Sequence, residues 1–163
     1  YDPHIPVEAW ATLSPAAVRC GGLEELFSRC YAVSVHVPLT PETKGLINKD
    51  VLTVAKPGAI LVNTARGGVV VEEDLYAALK NGPLLAAASD VFATEPPDVA
   101  NQLFSLPNFI PTPHSGGSTQ EAMERVATAV LREVAASLRG QGDPRYRVDI
   151  AAERPATVRK GGS

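Results

Sequence analysis

The sequence predicts an α/β fold built on a parallel sheet, on three observations. Short, nearly all-apolar runs of strand length recur along the chain, the composition of strands buried on both faces. Segments with three- and four-residue apolar spacing separate them. Gly or Pro closes each run, and no internal repeat or low-complexity tract interrupts the alternation. Strands alternating with helices imply a parallel sheet covered on both faces.

Val7 to Leu13, after Pro6, reads as a short helix, and Ala17 to Cys20 as a short strand ahead of Gly21-Gly22. Leu23 to Arg29 has helical spacing, with Leu23, Leu26 and Phe27 on one face. Tyr31 to Val37 (YAVSVHV) is a β-rich run stopped by Pro38. Asn48 caps a helix running to about Ala55, and Lys56-Pro57-Gly58 turns the chain into the strand Ala59 to Asn63 (AILVN). Glu72 to Asn81 is a helix with acids in its first turn and Gly82-Pro83 past its end. Leu84 to Val91 is a third apolar strand and Asn108 to Pro111 a weak fourth. Ser118-Thr119-Gln120-Glu121 fits a capping box. After it Met123, Val126, Val130, Val134 and Leu138 continue a helix of about six turns that Gly140 ends. Beyond Gly142 the chain turns polar, and Ala151 to Ser163 reads as a disordered tail.

The 163 residues are 45% hydrophobic and 20% charged, enough for one domain with a sizeable core. Fifteen Lys and Arg against eighteen Asp and Glu leave a net charge of -3, without the basic footprint of a nucleic-acid binder. No apolar run approaches the roughly 20 residues of a membrane helix, and no signal peptide opens the chain. The expectation is a soluble cytoplasmic domain that meets neither nucleic acid nor membrane. Cys20 and Cys30 are too few for a disulfide framework or a zinc site, so no metal is expected. The chain opens Tyr1-Asp2-Pro3 without an initiator Met, and its single Met is Met123, so it reads as a fragment or a processed product.

In such sheets ligands meet the loops beyond the carboxyl ends of the strands. The first informative loop is Asn63-Thr64-Ala65-Arg66-Gly67-Gly68, where glycines let backbone approach a ligand and a guanidinium can fork onto a carboxylate. The same residues read equally as a tight turn with a surface Arg. The next, Asp90 to Pro97, brackets a proline-stiffened loop with Asp90 and Glu95, which could be ordinary solvated acids. The last, Pro111-Thr112-Pro113-His114-Ser115-Gly116-Gly117, sets a His at a strand end. His36 lies in an apolar strand and reads as a core residue, and His4 is uninformative. Together the loops would bring one Arg, one Glu and one His to one rim. That set suits reduction of a 2-oxo acid: the His gives a proton to the carbonyl oxygen, a carboxylate keeps it charged, and the Arg holds the substrate carboxylate. Hydride must come from a cofactor.

At these residues the chain resembles the D-isomer-specific 2-hydroxyacid dehydrogenases, NAD-dependent enzymes that include glycerate, phosphoglycerate and glyoxylate/hydroxypyruvate members. The resemblance runs from Tyr1 to about Asp149. It rests on HVPLTPETKGLIN (His36 to Asn48), KPGAILVNTARGG (Lys56 to Gly68), SDVFATEP (Ser89 to Pro96) and TPHSGGST (Thr112 to Thr119), in that order. It implies a Rossmann-type doubly wound parallel sheet, N-terminally truncated. Residues 1–117 would be the C-terminal portion of the NAD-binding domain, and 118–150 an interdomain helix with a return segment toward the substrate domain. By resemblance Arg66 binds substrate, Glu95 is the carboxylate partner and His114 the acid/base. NAD would be contacted by Asp2 at the adenosine ribose, where an acid disfavours the 2′-phosphate of NADP. Val37, Thr64, Ala65, Arg66, Asp90, His114, Gly116 and Gly117 would contact it too, Asp90 at the nicotinamide amide. The substrate would be a small 2-oxo or 2-hydroxy acid, and the intact protein a homodimer. Formate dehydrogenases share the fold with Gln in place of Glu95, so Glu95 argues against formate.

The phosphate-cradling G-x-G-x-x-G is absent from the sequence, since Gly140-Gln141-Gly142 lacks both the third Gly and the context. In the family that motif precedes Asp2, on strands that would lie between Ala17–Cys20 and Tyr31–Val37. The chain alone is therefore expected to be poorly stable and catalytically incompetent. Val71 stands where relatives often carry a capping Asp, and Tyr31 where a strand-starting Asp is frequent. Two other functions fit the resemblance: an NAD(H)-sensing binding protein of the corepressor type, and an inactive fragment.

Overall fold

The computed structural model describes residues 1–10, 12–13 and 16–146. The anticipated tail at 151–163 and residues 147–150 lie outside them. The chain divides into two compact units, Tyr1–Gly116 and Gly117–Ser163.

The first unit contains α1 (Val7–Trp10), α2 (Leu23–Arg29), β1 (Ala32–Val35), α3 (Lys49–Thr53), β2 (Ala59–Asn63), α4 (Glu72–Lys80), β3 (Leu84–Ser89) and β4 (Phe109–Pro111), with a 3-10 turn at Gln102–Ser105. Its four strands form one parallel sheet in the order β1-β2-β3-β4. The α/β class and the parallel sheet are as the sequence predicts. The helices start where local chemistry allows. Asn48 Oδ1 accepts from the backbone N–H groups of Asp50 and Val51, which closes the start of α3. Asp74 of α4 accepts from Lys49 N at 2.9 Å and so ties the two helices together. The core is centred on Phe27, Leu52, Leu61, Val69 and Leu103, each no more than 1% exposed.

Four sequence expectations are corrected. Ala17–Cys20 forms no strand: among the described residues nothing pairs with it, and a strand without a ladder leaves its backbone groups unbonded. The first helix covers Val7–Trp10 among the described residues and does not reach Leu13, since Thr12 and Leu13 lie in a turn and a bend. His36 is exposed instead of buried, because Val33 and Val35 take the inward positions of β1 and the alternation turns Ser34 and His36 outward. The His36 ring bonds Ser34 Oγ through Nε2 at 2.8 Å. Burial is also one-sided. Val33, Val35, Ala59, Leu61, Leu84, Ala87 and Phe109 carry the core, whereas Ile60 and Ile110 on the opposite face are 38% and 61% exposed.

Two sequence peculiarities find physical accounts. Tyr31 is exposed, and the Lys56 ammonium sits 3.7 Å from its ring centroid, a cation–π contact an acid could not make. Val71 is the N-cap of α4 and supplies no side-chain hydrogen bond. Val71→Asp should raise stability by about 1 kcal/mol; a thermal or urea melt showing no gain would count against the capping argument.

The second unit is dominated by α5 (Gln120–Leu138). Thr119, one residue later than the expected box, caps it by accepting from Ala122 N at 3.1 Å. Glu121 therefore falls at the second helical position, too early for the reciprocal bond of a capping box. Gly140, at φ 70°, ends the helix in a left-handed turn. Gln141 N donates to Ala136 O and Gly140 N to Ser137 O, a Schellman closure. Met123, Val126, Val130, Val134 and Leu138 recur as anticipated and are all more than half exposed.

Candidate active site

The carboxyl ends of β2, β3 and β4 lead into the three loops singled out by the sequence. After β2, the buried Asn63 folds its loop around its own side chain. Its Oδ1 accepts from Ala65 N at 3.1 Å and its Nδ2 donates to Arg66 O at 3.2 Å. Arg66 is exposed, and its Nη1 donates to Ala65 O at 2.7 Å. Thr64 is exposed and Ala65 buried. Gly67 is obligatory for packing: a Cβ there would lie 1.7 Å from Phe92 O, so only glycine lets the Arg66 loop rest on the loop after β3.

That second loop carries both acids, in different roles. Asp90 is buried, and its carboxylate gathers the third loop. Oδ1 accepts from the Thr112 hydroxyl and from Ser115 N at 2.8 Å, and Oδ2 from Gly116 N at 2.8 Å. The Thr112 hydrogen bond is the main cause holding the Asp90 carboxyl below its ordinary range, with the Gly116 and Ser115 amides adding to it against burial. These bonds close around His114, which has φ 54°, a left-handed conformation uncommon for a side-chain-bearing residue.

Glu95 reaches the same histidine from the side. Its Oε2 lies 2.7 Å from His114 Nδ1, and its Oε1 accepts from Phe92 N at 2.9 Å. Its pKa is lowered, first by the His114 hydrogen bond and then by the Phe92 amide, while burial and the Asp90 charge oppose. An ionised carboxylate can only accept, so Nδ1 carries the proton and Nε2 is left for proton exchange with a bound molecule. Glu95, His114, Asp90 and Thr112 supply the polar lining of a cavity of about 490 Å³, with Phe92, Phe104 and four prolines supplying the rest. Phe104 packs edge-on against Phe92 at 5.5 Å between ring centroids.

Both acids also make stability pH-dependent. Their folded pKa values lie below the unfolded ones. The stability they contribute is complete above the ordinary carboxylate range and is lost as pH falls through the folded values. Melting temperatures should hold down to about pH 5 and then fall, and Glu95→Gln should flatten that acid limb. An acid limb of equal depth in the variant would refute the assignment.

The structure thus brings Asp90 and the hydrogen-bonded Glu95–His114 pair to one cavity, with Arg66 on the adjoining loop and outside the cavity lining. Gly116 is one of the donors to Asp90. Val37 lies just beyond β1, partly buried against the core. Asp2 accepts from His4 N at 2.8 Å near the start of the chain. Gly117 opens the second unit. Sequence reasoning missed Thr112, which anchors Asp90, and Asn63, which shapes the Arg66 turn. An Asn ending a strand ahead of small residues was the available signal for the latter.

Known proteins resemble the chain over most of its length. Residues 1–116 match the family described as D-isomer specific 2-hydroxyacid dehydrogenase, NAD binding domain. The chain is 43% identical over 141 residues to D-3-phosphoglycerate dehydrogenase of Methanocaldococcus jannaschii, covering 86% of this chain and 26% of that protein. It is 42% identical over 136 residues to hydroxypyruvate reductase of Thermotoga maritima, covering 82% of this chain and 42% of the other. Among solved structures, D-lactate dehydrogenase from Aquifex aeolicus complexed with NAD and lactic acid superposes with a TM-score of 0.65 at 32% identity, over 73% of this chain and 40% of that one. The chain spans about a quarter of the length of the phosphoglycerate dehydrogenases it matches. The family match over 116 of the 163 residues and the ordered strand-end loops lead to one conclusion: the chain belongs to the D-isomer-specific 2-hydroxyacid dehydrogenases, through their NAD-binding domain.

Proposed function

We propose that this domain forms the nicotinamide side of an NAD-dependent dehydrogenase that interconverts 2-oxo acids and D-2-hydroxy acids, of the phosphoglycerate or hydroxypyruvate type. The observation that carries the reading is the Glu95–His114 pair at the sheet rim, 2.7 Å apart, beside the loop of Arg66.

The donor set fits the cofactor's nicotinamide end. A carboxylate has about four acceptor positions. Thr112, Ser115 and Gly116 use three of those on Asp90, which leaves one on Oδ2 for the N–H of a carboxamide. Val37, Thr64 and Ala65 would line the same end, Gly116 and Gly117 would add backbone, and Asp2 would take the adenosine ribose. NADH, when bound, supplies the hydride. His114 gives the carbonyl oxygen a proton from Nε2, and in the reverse direction its neutral Nε2 takes the hydroxyl proton. Glu95 accepts from Nδ1 throughout and stabilises the imidazolium. Arg66 would pair its remaining N–H groups with the substrate carboxylate.

The test is loss of NADH absorbance, with a panel of 2-oxo acids that includes hydroxypyruvate and glyoxylate, by a protein that joins this domain to the G-x-G-x-x-G strands and a substrate domain. Turnover dependent on the oxo acid is the expected result, and NADH left unconsumed across the panel would overturn the reading. Arg66→Ala should raise KM for the oxo acid about 10-fold or more, the loss of a charge-assisted bond, with a smaller change in kcat. An unchanged KM would remove Arg66 from substrate binding.

A further inference from the structure

We propose that Glu72 is a positioning residue for the Glu95–His114 pair. Its carboxylate ties both ends of the Glu95 loop to the first turn of α4. The catalytic meaning of this tie rests on the dehydrogenase reading above, whereas the tie itself does not.

Glu72 Oε1 accepts from Ala93 N at 2.8 Å, and Oε2 from Asn101 Nδ2 at 2.7 Å. Glu95 lies between these two anchors. Consecutive backbone amides are shared out: Phe92 N goes to Glu95 and Ala93 N to Glu72. The hydrogen bond that orients Glu95 toward His114 therefore sits one peptide from the bond that Glu72 makes. Gly67 adds the close approach of the Arg66 loop to Phe92 O, and Glu72 follows Arg66 by only six residues. One short segment thus carries the arginine and clamps the glutamate's loop.

The chemistry requires a carboxylate at this position. Ala93 N can only donate. Asn101 must present its amide nitrogen to Glu72, because its Oδ1 already accepts from Leu103 N at 3.0 Å and caps the 3-10 turn. Leu103 is 1% exposed, so that turn is anchored in the core. Two fixed donors need two acceptors. Glutamine in place of Glu72 offers one acceptor and one donor, and the mismatch falls on Asn101 or on Ala93.

The complementarity can be broken and then restored. E72Q sets an amide nitrogen against a donor, and N101D sets two carboxylates against each other. In the double variant E72Q/N101D the new amide donates to the new carboxylate. That carboxylate still accepts from Leu103 N, and the amide oxygen still accepts from Ala93 N. The readout is the titration midpoint of the Glu95 carboxyl carbon by NMR in the full chain, where His114 lowers it and Asp90 opposes. Both single variants should move the midpoint up toward the ordinary glutamate value, and the double variant should move it back. Asn48→Ala, which removes the α3 cap, should lower the melting temperature and leave the midpoint in place. The proposal is overturned if the single variants leave the midpoint unmoved, if the double variant fails to restore it, or if Asn48→Ala moves it equally. A shifted and restored Glu95 midpoint in this chain, beside no oxo-acid reduction by a protein that adds the G-x-G-x-x-G strands and a substrate domain, would refute the dehydrogenase reading and leave the positioning role standing.

Discussion

In a protein that joins this domain to the G-x-G-x-x-G strands and a substrate domain, replacing His114 by Ala should lower NADH-dependent reduction of 2-oxo acids about 10²–10⁴-fold and change NADH affinity little. The reason is the division of labour around the ring. Glu95 Oε2 holds Nδ1 at 2.7 Å, so Nε2 alone can pass a proton to the substrate oxygen. Without the imidazole the alkoxide that develops at C2 must take its proton from water, while the other groups assigned to the cofactor remain. The backbone at position 114 needs a control, because φ 54° disfavours alanine more than asparagine. His114→Asn keeps a residue type that tolerates the left-handed region. Equal losses of kcat in both variants assign the effect to the lost imidazole, and kcat within a few-fold of the parent would remove His114 from the chemistry.

Asp90→Ala should cost about 3 kcal/mol or more of folding stability, because it strands several donors at once. The Thr112 hydroxyl and the Ser115 and Gly116 amides all end on the Asp90 carboxylate, which is 6% exposed. A left-handed His114 also costs of order 1 kcal/mol, and these three bonds offset it. Asp90→Asn keeps one acceptor and turns a donor toward the remaining amides, so its cost should be intermediate. A urea melt in which Asp90→Ala loses less than about 1 kcal/mol would mean the His114 loop is held by something other than Asp90.

Most of the sheet and the rim were legible in the sequence because their signals are local. AILVN becomes β2 with the expected bounds, LEELFSR becomes α2, and Asn48 caps α3 as its type and place require. The errors arose where composition underdetermines the outcome, through a missing partner, a strand's alternation or a choice between two adjacent caps. Ala17–Cys20 has strand composition and nothing to pair with among the described residues, and composition alone cannot reveal that. His36 looks like core in an apolar run, yet the two-residue period turns it outward with Ser34. Ser118 and Thr119 are both capping residues, and only the hydrogen bond to Ala122 selects Thr119. At the site, the candidates Arg66, Glu95 and His114 were visible because their loops follow strand ends. The roles of Thr112, Asn101 and Glu72 were not, since each acts across about 20 to 30 residues of intervening chain.

The central claim is that Glu95 holds His114 in one tautomer, on a loop that Asp90 fixes, and leaves Nε2 for the substrate. Nitrogen NMR of the His114 ring in the full chain at neutral pH, compared with Glu95→Gln, tests it directly. The account predicts a hydrogen-bonded proton on Nδ1 that loses its downfield shift in Glu95→Gln. A ring protonated on Nε2 in the parent, or one indifferent to Glu95→Gln, would contradict it.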